Sequence, residues 1–233
     1  RQAPPVGYDP DADDNYPANL DTVPAGMIYK LRPDEAIVLI GSTPPPARYF
    51  SFRSYLGFVE NKPEKDYIGT PTFGDDEIGW YHRIYCSLGD PLNHLNMWTS
   101  NTPGGAAGNA FGSATVLITT ADKGINRMMR DALTAAGYSP DIINDDNIPP
   151  SLVHMGLEKG KDTFLVIMRA ALWDEPDVGS TYLDNIGEHM RVFRITPNTP
   201  IAASEPWPVP ALRVRETGVS EYQTIPNAAA DLE

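Results

Sequence analysis

The sequence holds a single cysteine, Cys86, so no disulfide can close within the chain and a disulfide-knit scaffold is excluded. No apolar run approaches the roughly 18–20 residues that carry a helix across a bilayer. No Asn-x-Ser/Thr acceptor is present, so N-glycosylation gives no support for a eukaryotic secretory route. Clustered cations are missing too. Lys and Arg number 18 against 31 Asp and Glu, for a formal charge of −13, and the 18 are scattered. A broad nucleic-acid surface is argued against, because phosphate binding needs basic side chains gathered on one face. There is no His-Glu-x-x-His and no Gly-x-Ser-x-Gly. The glycine-rich stretch 103–112 precedes a strand, whereas a phosphate-cradling loop follows a strand and opens a helix.

What is present is ordinary for a globular chain. Hydrophobic residues make up 41% and charged residues 21% of 233 positions, enough to bury a sizeable core. Residues 1–26 form a Pro/Asp-rich N-terminal arm, and residues 197–233 a second, Pro-rich arm with Pro197, Pro200, Pro206, Pro208, Pro210 and Pro226. Such stretches favour extended backbone with few internal hydrogen bonds. A single globular β-rich domain is expected between them, over residues 27–196. The chain opens on Arg1 and not on Met, which inclines the reading toward an exported, processed product, extracellular or periplasmic.

Strand signals dominate that core. Residues 36–40 are a short apolar run closed by Gly41 and Pro44, Pro45 and Pro46. From Arg48 onward the pattern alternates: Phe50, Phe52, Leu56 and Phe58 share one face, Tyr49, Ser51, Arg53 and Tyr55 the other. Residues 79–87, 164–172 and 190–196 read as further strands, the second carrying Arg169 in so apolar a run that a buried, paired guanidinium is expected. The clearest unit is a β-branched strand at 115–119, then Asp122 as a helix N-cap. Ile125, Met128, Met129, Ala132, Leu133 and Ala136 follow at helical spacing, and Gly137 stops the helix. Ile142 and Ile143 begin a following strand. The fold class is therefore α+β: an antiparallel β-rich sandwich or sheet with one β-α-β excursion and one main amphipathic helix at about residues 122–137.

Asn19, Asp21 and Thr22, then a strand, then Arg48, Tyr49 and Phe50 give a pattern that resembles a bacterial family of unknown function. Its members, often exported, carry N-x-D-T followed by R-Y-[YF]. Val23 and Pro24 stand where that family has a tyrosine shortly after the threonine. The resemblance implies a β-rich fold and no particular activity.

Three groups of residues carry candidate chemistry. Asp9, Asp11, Asp13 and Asn15 place oxygen ligands at alternate positions, as the first half of a calcium loop does. Asp14 occupies the position where that loop has glycine, and Leu20 the position of its bidentate Glu. His82, Asp90 and His94 flank Cys86 and are the candidates for general acid–base work, with Arg48 beside their pocket. Arg48, Tyr49, Arg53, Tyr55 and Arg169 form a candidate binding set, since rings beside a guanidinium hold a carboxylate, a sugar or a partner chain. The leading expectation is an exported binding or assembly module, a homo-oligomer or partner of another protein, acting through its Pro-rich arms and aromatic strand face. The rival expectations are a hydrolase or lyase near His82, Asp90, His94 and Arg48, and a calcium-stabilised extracellular domain. No nucleic acid and no membrane span are expected.

Overall fold

The computed structural model describes residues 28–60, 72–73, 81–158 and 161–209. Its strands form two sheets. The larger contains β1 (Ile28–Tyr29), β3 (Ala47–Glu60), β4 (Thr72–Phe73), β5 (Tyr81–Ser87), β6 (Leu92–Asn93) and β9 (Thr163–Trp173). Their order is β1-β9-β3-β5-β4, with β6 also against β3. The smaller sheet runs β10 (Met190–Ile195), β2 (Ala36–Ser42), β7 (Ala114–Thr120), β8 (Ile143–Asn147). Every pairing is antiparallel except β7 with β8, which the intervening helix α1 (Lys123–Ala135) makes parallel.

The sheets stack face to face. Phe50 and Phe52 of the larger sheet share a cluster with Leu39 and Leu117 of the smaller, and Tyr29 and Phe164 share another with Ile37. Burying each such ring stabilises by about 1.5–3 kcal/mol, so the alternation of β3 fixes which face turns inward. The far side of the smaller sheet is covered as well, by α1, whose Ile125, Met129 and Leu133 meet Val38, Val116, Ile118 and Ile143. Two covered faces explain why β2 and β7 read as continuous apolar runs and do not alternate.

Helix α1 begins where expected. The Asp122 carboxylate accepts from the amides of Gly124 (2.8 Å) and Ile125 (3.1 Å), and Gly137 takes the left-handed φ of 97° past its end. Its packed stripe is narrower than the spacing suggests, because Met128 and Ala132 stay exposed.

Two features differ from the sequence reading. Arg169 is exposed, not buried. A second helix, α2 (Pro176–Asp184), and a short turn of helix, α3 (Ile186–His189), occupy the region after β9, where the sequence reading places no helix. Pro176 sits at the first turn of α2, where its missing N–H is no loss. The described part of the C-terminal arm lies along its own domain. Lys123 N–H donates to Glu205 O (2.8 Å), Trp207 N–H to Ala121 O (3.0 Å) and Trp207 Nε1 to Thr120 Oγ1 (3.1 Å). The N-terminal arm is outside the described residues.

Candidate functional site

The outer side of the larger sheet is set by register, and it is exposed mainly at the end near Arg169 and Ala171, since Ser51, Arg53, Tyr55 and Leu165 on it are buried. Tyr49, Ser51, Arg53 and Tyr55 share one side of β3, and their partners Ala171, Arg169, Ile167 and Leu165 continue that side onto β9. Arg169 lays its guanidinium 5.2 Å from the centre of the Tyr55 ring, within cation–π range. It has no carboxylate partner among the described residues. Beyond Ala171 the strand leaves regular geometry: Leu172 takes φ 55°, a left-handed value rare for a bulky residue, and is 75% exposed. Arg48, of opposite parity to Tyr49, is exposed at the same end of β3.

Arg53 does something else. Alternation assigns it to the outer side, yet its guanidinium is 5% exposed and turned inward, with Nη1 2.6 Å from Asp146 Oδ1 and Nη2 3.0 Å from Asn147 O. It passes Gly89, where any Cβ would lie 2.5 Å from Nη2. Asp146, wholly buried in β8, also accepts from the Thr119 hydroxyl (2.8 Å) and from the hydroxyl and amide of Ser54, and Ser54 Oγ meets the Tyr29 hydroxyl at 3.1 Å. Burial, reinforced by the Asp146 charge, pushes the Tyr29 phenol up, so it stays a protonated donor. This network ties one sheet to the other.

The three acid–base candidates are dispersed along β3. His82 stands in β5 opposite Val59, whereas His94 lies beside Phe50, to whose carbonyl its amide donates at 3.2 Å. Positions 50 and 59 are roughly 30 Å apart along an extended strand, so the register does not bring the two histidines together. Asp90 is exposed in the turn after β5. The His94 ring packs edge-on to Tyr49 (5.7 Å) and against Phe50 (6.2 Å) and Phe111 (5.6 Å), with Nδ1 buried and unpartnered. Asp9, Asp11, Asp13 and Asn15 lie outside the described residues. Among those described, no three His, Cys, Asp or Glu side chains gather as a metal site.

Other groupings went unread in the sequence, and the one that joins Glu35 to Arg194 and Thr196 spans most of the chain. Glu35 accepts from Arg194 Nη2 (2.6 Å), the Thr196 hydroxyl (2.7 Å) and the Arg32 amide (2.8 Å). Burial acts to raise its carboxyl, but these donors outweigh it and hold the group below the usual glutamate value. Asp34 is held low by Arg32 at 2.5 Å. His154, exposed, faces the buried Asp162 carboxylate at 3.4 Å.

A groove of about 500 Å³ opens between the β2–β3 turn and α2. Ser42 and Pro45 form one wall, Asp177 and Val178 the other, and Tyr182 and His189 the floor. The two rings stack at 4.6 Å and 24°, and the Tyr182 hydroxyl donates to Ser42 O at 2.9 Å. No helix among the described residues is long and apolar enough to cross a membrane. Comparison of the chain with protein-family models, with curated proteins and with solved structures returns no match.

Proposed function

We propose that the protein is a non-enzymatic binding or assembly module, exported to an extracellular or periplasmic space, that contacts a second copy of itself through the outer side of its larger sheet. One observation carries the reading: Arg169 is exposed, stacked on Tyr55, and has no carboxylate partner among the described residues. A guanidinium already ordered on a ring loses little freedom when a partner arrives, and Arg and Tyr are enriched among residues that dominate binding energy. Tyr49, Ala171 and Leu172 extend the same end of the sheet with apolar surface.

The test is the mass of the chain in solution by light scattering over a range of concentrations, for wild type, Arg169→Glu and Tyr49→Ala. A discrete assembly that either substitution weakens at least tenfold supports the reading. A single species of 25.5 kDa at every concentration would sink it. A chelator added to the same runs addresses calcium: an assembly or melting temperature that changes on chelation promotes Asp9, Asp11, Asp13 and Asn15 to metal ligands.

A further inference from the structure

The groove between the β2–β3 turn and α2 is separate from the sheet face and is built like a small-molecule site. Its volume of about 500 Å³ falls within the range of such sites. It is held open by packing that cannot slide: a Cβ on Gly41 would lie 2.1 Å from His189 O, so β2 runs directly against the end of α3. Gly179 is pressed against Trp173, with ring atoms 2.2 Å from where its Cβ would be, which seats α2 on β9.

The chemistry of the lining selects the occupant. The hydroxyls are largely engaged already. Tyr182 donates to Ser42 O, Thr181 to Asp177 O (2.8 Å), and Thr43 Oγ1 to Ala110 O (2.6 Å) while accepting from the Ser113 amide (2.9 Å). A polyhydroxylated ligand would find few free partners. Among the described residues no Lys or Arg lines the groove, so a phosphate or carboxylate would face Asp177 with His189 as the one lining side chain able to offset the repulsion. Asp177 itself is exposed and has no cation partner among the described residues. An unpaired carboxylate, the His189 ring lying over a Tyr182 that is only 5% exposed, and the apolar sides of Pro45 and Val178 form a combination that holds an ammonium group by charge and its carbon body by contact.

We infer that this groove binds a small organic cation, a primary or quaternary amine on an apolar body, with Asp177 as its counter-ion. The probes are choline and phenethylamine, titrated into the uniformly ¹⁵N-labelled full chain at pH 7.5. The neutral isostere 3,3-dimethylbutan-1-ol serves as control. The expected result is saturable amide shifts at residues 42–45, 177–182 and 189 with at least one cation. The isostere should bind at least tenfold more weakly, and Asp177→Asn should lower cation affinity at least tenfold. Asp184→Asn, on the same helix but outside the groove, should leave affinity unchanged, and the spectra themselves report whether each variant is folded. No saturable shift with either cation, equal affinity for the isostere, or full affinity in Asp177→Asn would each overturn the inference. Phosphatidylcholine vesicles distinguish a free amine from a lipid headgroup: co-sedimentation that Asp177→Asn abolishes assigns the headgroup, and binding of free amine alone assigns a soluble ligand.

Discussion

At the scale of single residues, the governing feature is the buried pair Arg53–Asp146. An isolated charge in a low-dielectric interior is prohibitive, so removing one partner harms more than the pair contributes. Asp146→Ala should destabilise by about 3–5 kcal/mol, measured by urea unfolding, because it strands the Arg53 guanidinium. Replacing both with apolar residues of similar volume, Arg53→Met with Asp146→Leu, should recover the share due to the stranded guanidinium but not the whole loss, because the buried Ser54 and Thr119 hydroxyls also lose their acceptor. If the double variant is no better than the single, the pair is not coupled. Sequence reasoning saw that an arginine in an apolar setting must be paired but attached the argument to Arg169. The side-chain period of a strand locates a Cα, and a long guanidinium can leave that side past a glycine such as Gly89. Asp146 was legible only as part of the polar run 144–147, which resembles a turn. In the structure Asn144 and Asp146 face the sandwich, while Asp145 faces α1 and pairs with Arg130 at 2.7 Å. Glu35 gives the second residue-scale prediction. Its folded pKa is depressed, so the unfolded chain takes up the proton more readily. The stability it contributes is complete above the ordinary glutamate value of 4.5 and is lost as pH falls through the lower folded value. Glu35→Gln should flatten the decline of stability with acid below about pH 4.5, while leaving Asp34 to contribute its own share. An unchanged acid limb would show that Arg194 and Thr196 do not hold the carboxylate in solution.

Secondary elements were legible in proportion to how far their hydrophobic pattern decides the structure. Helix α1 carries an N-cap, a stripe and a glycine stop; the cap and the stop act as read, and the stripe packs in part, with Met128 and Ala132 left exposed. Helix α2 has no such pattern: Val178 and Leu183 are exposed, and the helix is held by Tyr182 and by the fit of Gly179 against Trp173. Asp122 has a consequence for more than one element, because its other carboxylate oxygen accepts from the Glu205 amide at 2.6 Å. The same side chain caps α1 and pins the C-terminal arm. Loss of an N-cap alone costs about 0.5–2 kcal/mol. Asp122→Ala should reach the upper part of that range. It should also speed amide exchange at Lys123 and Trp207, whose hydrogen bonds to Glu205 and Ala121 join the arm to the helix start. If exchange there stays as in wild type while α1 frays, the arm is held by Trp207 and not by the cap.

For the molecule as a whole, the layer order of sheet, sheet and helix follows from which faces are greasy; the sequence disclosed the α+β class and its β-α-β unit, and left a sandwich or a single sheet open. The meeting of distant polar groups and the groove beside α2 depend on register and on loops, which no local pattern encodes. Net charge is the property that composition fixes most directly, and it predicts a response to salt. At −13, mutual repulsion favours the expanded chain, and its strength falls as the screening length shortens from about 30 Å at 0.01 M to about 8 Å at 0.15 M. The opposing contribution, salt weakening of ion pairs, is small here. Arg127–Glu205 is exposed, with side chains 58% and 48% accessible, and such pairs are worth about 0–1 kcal/mol. Arg53–Asp146 is buried and screened little. Repulsion should therefore win, and the melting temperature should rise as NaCl goes from 0.01 to 0.15 M. Calorimetry at pH 7 over that range decides the matter: a falling melting temperature would mean that surface ion pairs, and not the excess of carboxylates, govern the stability of this domain.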